Sequence, residues 1–356
     1  MAVLDKVLKA ALDHGASDVH IVPGEPFTLR RLGKLVKLKS APLTAEKGRQ
    51  LIFELLSPEQ RKVVEQTHQL DFAYALDGLA RFRGSIMGHN NGLSAVFRIV
   101  PLKVPQLDRL GLPEVVAGVL DNHQGLILVT GATGQGKSTT LAAMVDTINS
   151  RRAHHILTVE DPIEFIHPVK RGVVNQRQLG ANTRSYGNAL RSALREDPDV
   201  IMIGELRDLE TISLAISAAE TGHLVIGTLA TSGAAKTVDR IIDAYPADEQ
   251  NQIRAMLSET LRAVITQRLL PGRENGGMEL AAEVLIGTLP MTNLIKDGKT
   301  FQIPSMMQTA RAAGMQSMDD AVQGLLREQR ITARTAHDYA NDPKKFKTQM
   351  EKEARG

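Results

Sequence analysis

The spacing of hydrophobic residues changes about one hundred residues into the chain. Before that point, amphipathic helices are mixed with short segments in which apolar and polar residues alternate. Ser57 followed by Pro58 forms a helix start signal, and the predicted helices cover about 4–14, 45–56 and 58–66. The alternating segments, which are typical of strands, are 18–22, 27–32, 80–83 and 94–99. Residues 1–100 are therefore predicted to form a small α+β domain.

A proline-punctuated stretch, 101–113, breaks both periodicities and is predicted to be a linker. After it, apolar strands alternate with helices as far as residue 287. These predicted strands are Leu126–Thr130, His155–Val159, Gly172–Asn175, Val200–Ile203, Leu224–Thr228 and Ala281–Ile286. Such alternation predicts a mostly parallel sheet with helices on both faces, which binds its ligands at the carboxyl ends of the strands. The final segment, 288–356, is predicted to be entirely helical.

The composition is typical of a globular protein and excludes several classes of function. Of 356 residues, 42% are hydrophobic, yet no apolar run approaches the ~18 residues of a membrane span. The amino terminus lacks a signal-peptide core, so we expect a cytoplasmic protein. The absence of cysteine excludes disulfides and zinc held by thiolates. Evenly mixed charges, a net charge of +3 and few aromatic residues predict that the chain does not bind nucleic acid.

The most specific motif lies at 131–138, where Gly-Ala-Thr-Gly-Gln-Gly-Lys-Ser is a full match to the phosphate-binding loop GxxxxGK[ST]. An apolar strand precedes it and a helical pattern follows it, as this loop requires. Its glycines let successive backbone N–H groups turn toward an anion. Lys137 can reach the β- and γ-phosphates, and the Ser138 hydroxyl can ligate Mg²⁺. The predicted cofactors are ATP and Mg²⁺, and the predicted binding residues are Gly131, Ala132, Thr133, Gly134, Gln135, Gly136, Lys137, Ser138 and Thr139.

Two further predicted strands run into acidic residues. The strand that ends at 159 is followed by a segment containing Glu164, and the strand that ends at 203 is followed by Gly204 and Glu205. In a parallel sheet both ends face the loop that holds the phosphates. Hydrolysis needs a Mg²⁺ shell and a group that orients the attacking water, so both glutamates are candidate catalytic residues. The generic magnesium-binding strand ends in Asp, and Gly204 stands in that place here.

Longer motifs resemble those of a known family. The matching segments lie at 15–20, 156–165, 189–199, 204–210, 219–225 and 234–240, and they cover nearly the whole chain. With these segments the chain closely resembles the secretion ATPases, and within them the PilT-type retraction ATPases of type IV pili. The resemblance implies an N-terminal PAS-like domain, a RecA-like P-loop ATPase core over 114–287 and a helical C-terminal subdomain over 288–356.

The resemblance also implies roles for single residues. Glu164 would be the carboxylate that activates water, and Glu205 would hold Mg²⁺ directly or through water. Arg83 and Arg98, on strands of the N-terminal domain, would reach the γ-phosphate across a subunit boundary. An arginine that acts in trans stabilises transition-state charge only once a ring closes. Taken without the resemblance, these two arginines also fit exposed charges on strands.

The implied assembly is a homohexameric ring that dismantles pilin filaments at the inner face of the inner membrane. Its implied partners are a membrane platform protein and other pilus ATPases, and the chain would be peripheral to the membrane without spanning it. The pilus-extension ATPases of the same superfamily are longer and usually carry a four-cysteine zinc module. Because this chain has no cysteine, retraction is the favoured direction.

Two departures from the family pattern leave alternatives open. The family's Thr-Leu-His-Thr box reads Thr-Leu-Ala-Thr here, with Ala230 in place of the histidine. The motif Ala-Ile-Arg-Asn-Leu-Ile, which the family ties to retraction, reads Pro-Met-Thr-Asn-Leu-Ile at 290–295 and lacks its basic residue. One alternative is therefore a divergent accessory or regulatory nucleotide-binding subunit of the pilus machinery. The other is a RecA-like nucleic-acid motor, which the even charge distribution disfavours.

Overall fold

The chain divides into two compact units, Met1–Lys103 and Val104–Gly356. The computed structural model describes residues 3–31, 33–76, 78–100, 103–273 and 277–354. Residue 32 of the predicted strand 27–32 and residues 101 and 102 of the predicted linker lie outside the described residues. Within the described part of the chain, no helix has the length and apolar character needed to cross a membrane.

The first unit combines a six-stranded antiparallel sheet with three helices. The helices are α1 (Val3–Asp13), α2 (Ala45–Glu54) and α3 (Pro58–Thr67). The strands are β1 (Asp18–Ile21), β2 (Thr28–Arg31), β3 (Lys34–Lys37), β4 (Gln69–Leu76), β5 (Ala80–His89) and β6 (Gly92–Val100). Their order across the sheet is β3-β2-β1-β6-β5-β4. Apolar side chains from one face of the helices and alternate strand positions form a single buried core.

The start of α3 follows the predicted signal closely. The Ser57 hydroxyl accepts a hydrogen bond from the backbone N–H of Gln60, and the Gln60 side chain accepts one from the backbone N–H of Ser57. This reciprocal capping satisfies two backbone donors that the helix leaves free. By contrast, β4 was not predicted. Its sequence, Gln-Leu-Asp-Phe-Ala-Tyr-Ala-Leu, contains Asp and Ala residues, which have low strand propensity. Pairing with β5 stabilises the strand in spite of this low propensity.

The second unit is built on a seven-stranded sheet. Its strands are β7 (Gly125–Thr130), β8 (His155–Glu160), β9 (Val173–Gln178), β10 (Val200–Ile203), β11 (Leu224–Leu229), β12 (Leu261–Pro271) and β13 (Met278–Ile286). Their order is β13-β12-β7-β11-β10-β8-β9, and all neighbours are parallel except β12 and β13. The sequence did not predict β12, although this strand separates β7 from β13.

Helices pack on both faces of this sheet. The helices that precede β7 or connect the strands as far as β12 are α4 (Val115–Val119), α5 (Lys137–Arg151), α6 (Tyr186–Ala193), α7 (Leu209–Glu220), α8 (Ala234–Ile242) and α9 (Gln250–Thr260). Along β7, Leu126 and Leu128 join one buried cluster, whereas Ile127 and Val129 join the other. Because successive strand residues point to opposite faces, this division shows that both faces are covered.

After β13 the described chain continues through helices and short 3₁₀ turns. The helices are α10 (Leu289–Lys296), α11 (Ile303–Thr309), α12 (Met318–Arg327), α13 (Ala333–Tyr339) and α14 (Lys347–Glu353). An isolated bridge between Val284 and Gln316 joins this segment to β13. At the other end of the unit, Leu107 lies in a 3₁₀ turn inside the stretch predicted as a linker, and its side chain is buried in the core of the second unit.

Candidate active site

The phosphate loop joins β7 to α5 at the carboxyl edge of the sheet. Gly131, Gly134 and Gly136 have φ values of 141°, 82° and 80°, a region in which side chains are strained. A Cβ on Gly131 would lie 2.6 Å from the carbonyl oxygen of Gln267, so a side chain is also excluded by space. The loop can therefore wrap closely around a ligand, and the N-terminus of α5 with its free N–H groups lies behind it.

Lys137 and the two residues after it form the first turn of α5. The Lys137 ammonium donates hydrogen bonds to the carbonyl oxygens of Gly131, at 2.7 Å, and Ala132, at 2.9 Å. Burial lowers the pKa of Lys137, and the charge of Glu205 partly offsets this effect. The Ser138 side chain is exposed and Thr139 is half-buried. The loop thus presents an ammonium and a hydroxyl at the edge where phosphates are expected.

Polar contacts fix this loop to β12. The Gln135 side chain accepts a hydrogen bond from the backbone N–H of Leu269. The Gln267 amide donates to the Thr140 hydroxyl on α5, at 2.7 Å. Sequence reasoning missed this support because it did not predict β12. The β-branched run Val-Ile-Thr within 261–271 was the available signal.

The segment after β8 carries two glutamates that differ in burial. Glu160, the last residue of β8, is buried and accepts hydrogen bonds from the Thr158 hydroxyl, at 2.6 Å, and the Gln176 amide, at 3.1 Å. Burial raises the pKa of Glu160, and these hydrogen bonds oppose the rise. Glu164 is half-buried, and its backbone N–H lies near enough to the Glu160 carboxylate to oppose the rise in its pKa. The buried carboxylate thus lies beside the turn that carries the predicted water-activating residue.

Glu205 follows β10 after Gly204. Its carboxylate accepts a hydrogen bond from the Arg207 guanidinium at 2.7 Å, and this pairing raises the pKa of Arg207. Glu205 is also close enough to Lys137 for its charge to offset part of the lowering of the Lys137 pKa that burial causes. Two residues predicted from separate motifs, 68 positions apart in sequence, are therefore brought to the same edge of the sheet.

Arg83 and Arg98 lie in the first unit, directly opposite each other on β5 and β6. Both side chains are exposed. Arg98 pairs with the buried carboxylate of Asp18 at 2.9 Å, and Asp18 also lies 3.8 Å from Arg30. Among the described residues, Arg83 has no ion pair or hydrogen bond from its side chain. The structure thus brings the two predicted arginines together with each other, as a cationic pair on one sheet face.

The residues at the sheet edge suit a magnesium–nucleotide complex. Mg²⁺ usually takes one or two protein ligands and completes its shell with water and substrate phosphates. Ser138 and Glu205 supply a hydroxyl and a carboxylate at this edge. Among the described residues, at this edge or outside it, no three or more His, Cys, Asp or Glu side chains are grouped so that they could hold a metal ion without other ligands.

Comparison with known proteins identifies the family. A model described as "Type II/IV secretion system protein" matches residues 1–279. The chain belongs to the type II/IV secretion system protein family. The predicted resemblance to secretion ATPases, and within them to PilT-type proteins, is confirmed.

Individual members of this secretion family match over most of their length. The "Type IV pilus retractation ATPase PilT" of Pseudomonas aeruginosa is 46% identical over 343 residues, which are 96% of this chain and 99% of that protein. A "Twitching motility protein" of Neisseria gonorrhoeae is 46% identical over 314 residues, 88% of this chain and 84% of that protein. A crystal structure of "the Pilus Retraction Motor PilT and Bound ADP" superposes with a TM-score of 0.90 at 42% identity, covering 97% and 98% of the two chains. The predicted fold class, an α+β N-terminal domain, a P-loop α/β domain and a helical C-terminal part, is confirmed.

Proposed function

We propose that this chain is a Mg²⁺-dependent ATPase motor that couples ATP hydrolysis to retraction of a type IV pilus, as a homohexameric ring. The observation that carries the proposal is the convergence of the phosphate loop, Lys137 and Glu205 at the carboxyl edge of one sheet. The similarity to a pilus retraction ATPase over 96% of the chain supports the same function. The membrane platform protein and the other pilus ATPases are proposed partners at the inner face of the inner membrane.

Each residue of the site has a defined role in this proposal. The backbone N–H groups of the loop, 131–139, bind the phosphates, and Lys137 pairs with the β- and γ-phosphate oxygens. Ser138 and Glu205 hold Mg²⁺, which when bound neutralises phosphate charge. Glu164 orients the attacking water and accepts its proton. Because Lys137 now bonds carbonyl oxygens of its own loop, phosphate binding must exchange those contacts for stronger charge-assisted ones.

In a ring, Arg83 and Arg98 act on the nucleotide of the neighbouring subunit. Two like charges facing each other across neighbouring strands repel, and a triphosphate would relieve that repulsion. Asp18 balances part of the charge and orients Arg98, whereas Arg83 is left to meet an anion. Hydrolysis then depends on assembly, because the nucleotide of an isolated subunit has no arginine pair from a neighbour beside it.

One alternative has a specific observation in its favour. Ala230 lies exposed directly after β11, at the edge that carries Glu205, and its side chain can neither donate a hydrogen bond nor titrate. A chain without this contact could bind nucleotide and regulate an active partner without hydrolysing ATP itself. We favour hydrolysis because the loop, both carboxylates and the arginine pair contribute more to charge stabilisation and water orientation in the transition state than a single histidine contact would.

Steady-state phosphate release from the full chain tests both functions. Lys137→Ala should abolish turnover, and Glu164→Gln should slow it by about 10²–10⁴-fold while Mg-ATP stays bound. Glu46→Gln, an exposed change in the first unit, is the matched control and should retain full turnover. If the assembled wild-type protein releases phosphate no faster than Lys137→Ala, the ATPase motor is refuted and the regulatory subunit replaces it.

A further inference from the structure

The tyrosine that begins α6 reaches the catalytic edge of the sheet. Tyr186 is buried, and its ring packs among the apolar residues of the cluster that includes Leu157, Val159 and Ile203. The preceding Ser185 caps the helix by accepting a hydrogen bond from Asn188. The ring is therefore held by packing and its backbone by a helix start, so the direction of its hydroxyl is well defined.

That hydroxyl lies where β8 and β10 end. A Cβ placed on Gly204 would be 3.2 Å from Tyr186 Oη, 3.2 Å from the carbonyl oxygen of Val159 and 3.4 Å from Cα of Glu160. The phenol oxygen thus occupies the space above Gly204, next to the end of β8 at Glu160, and it is near enough to Glu205, which follows β10, to feel its charge. Gly204 is also the position where a generic phosphate-loop protein carries its magnesium-binding aspartate. In this chain a side chain from another helix supplies the polar atom near that place.

The Tyr186 hydroxyl differs from the hydroxyls of buried Tyr245 and half-buried Tyr74. Tyr245 accepts a hydrogen bond from Ser213 at 2.9 Å, and Tyr74 donates one to Asp5 at 2.5 Å. Tyr186 Oη makes no hydrogen bond to any of the described residues. The ring is buried, but its oxygen is open to solvent at this edge, so the partner of the hydroxyl is a water or a ligand.

The surrounding charges keep this phenol neutral. Burial, followed by the charges of Asp161 and Glu205, raises the pKa of Tyr186 to about 12, and Arg207 opposes the rise. At neutral pH the hydroxyl therefore has both a proton to donate and lone pairs to accept. Carboxylates at the same edge can only accept, so a neutral hydroxyl adds a donor that they lack.

We propose that the Tyr186 hydroxyl is a positioning group of the nucleotide site, which fixes a water between the ends of β8 and β10 and through it the Glu205 carboxylate. The proposal rests on the proposed function, because Glu205 matters only if it serves a magnesium–nucleotide complex. Without the water, Glu205 would keep its pairing with Arg207 more often. Magnesium-dependent binding and turnover would both weaken, while the phosphate loop itself would be unaffected.

The test compares Tyr186→Phe with wild type and with Tyr245→Phe. Each change removes one hydroxyl and keeps the ring in the same buried cluster, so both variants should fold. The ADP dissociation constant is measured by calorimetry in full-length protein, in EDTA and in excess Mg²⁺. One neutral hydrogen bond corresponds to a factor of about 3 to 10.

In EDTA we expect Tyr186→Phe to bind ADP as tightly as wild type does. The factor by which Mg²⁺ tightens ADP binding should be about 3- to 10-fold smaller in Tyr186→Phe than in wild type. Its kcat for phosphate release should fall by a similar factor, with a smaller change in KM. Tyr245→Phe should match wild type in all three measurements. The proposal is overturned if Tyr186→Phe keeps the full Mg²⁺ gain, or if it weakens ADP binding equally with and without Mg²⁺. The EDTA comparison does not need turnover, so it separates this proposal from failure of the ATPase itself.

Discussion

Acid should selectively weaken the segment that carries Glu164, through a single histidine. His167 is 8% exposed, and its Nδ1 atom has no hydrogen-bond partner among the described residues. Burial lowers the pKa of His167 from its ordinary value of 6.5 to about 4, with Asp146 opposing the shift and Lys170 adding to it. The backbone N–H of His167 donates to Gln176, which in turn donates to Glu160. Charging the imidazole therefore disturbs the segment that holds Glu160 and the candidate catalytic residue Glu164.

The size of the effect follows from the two pKa values. A histidine with a lowered folded pKa contributes stability above pH 6.5, and this contribution is lost as the pH falls toward 4. Between pH 7.5 and pH 5 the linkage relation gives a loss of about 2 kcal/mol. For a unit of this size that corresponds to a fall in melting temperature of about 4–8 °C. The raised pKa of Glu160 acts in the opposite sense, so only a comparison with a variant isolates the histidine.

His167→Gln supplies that comparison, because glutamine cannot become charged. Scanning calorimetry of both proteins at pH 7.5 and pH 5 should show a smaller acid shift in the variant, by about 2 kcal/mol. NMR titration of the His167 ring protons, assigned by their disappearance in the variant, measures the pKa directly. A native-state pKa between 6 and 7, or equal acid shifts in the two proteins, would refute the reasoning.

Two further predictions concern the first unit. Gly84→Ala places a Cβ 2.4 Å from the buried ring of Phe72, so this overpacking should cost about 1–3 kcal/mol in calorimetry, whereas Gly48→Ala in a helix of the same unit should not destabilise it. Equal melting temperatures for the two alanine variants would contradict this packing argument. If Arg83 acts in trans, mixing Arg83→Ala with Lys137→Ala subunits should restore part of the phosphate release, because one kind of mixed interface keeps both functions. No recovery in rings shown to exchange subunits would count against trans action.

Local chemistry accounts for much of what the sequence predicted. The phosphate loop needs glycines at φ values that other residues avoid, so its pattern identifies the structure directly. The start of α3 is similarly local, since Ser57, Pro58 and Gln60 satisfy the helix end among themselves. The carboxyl-edge position of Glu205 also followed from the sequence, because alternation of strands and helices already implies parallel strands.

Strands that depend on their neighbours were not predicted. β4 and β12 have weak patterns of their own, and pairing with β5, β7 and β13 stabilises them. Because β12 was not predicted, the role of Gln267 was not predicted either. Its contact with Thr140, 127 residues away in sequence, supports the phosphate loop. Glu160 was a strand-end carboxylate in the sequence, but its burial and its hydrogen bonds to Thr158 and Gln176 appear only in three dimensions.

The chain's motifs thus specify which chemical groups are present and at which edge they lie, because loops, caps and strand alternation are short-range properties. Tertiary structure alone decides how those groups are held. No sequence motif pointed to Tyr186, yet the absence of a side chain on Gly204 lets its hydroxyl reach the ends of β8 and β10. Such contacts depend on the relative placement of elements, which is set by packing of the whole core and leaves no local pattern in the sequence.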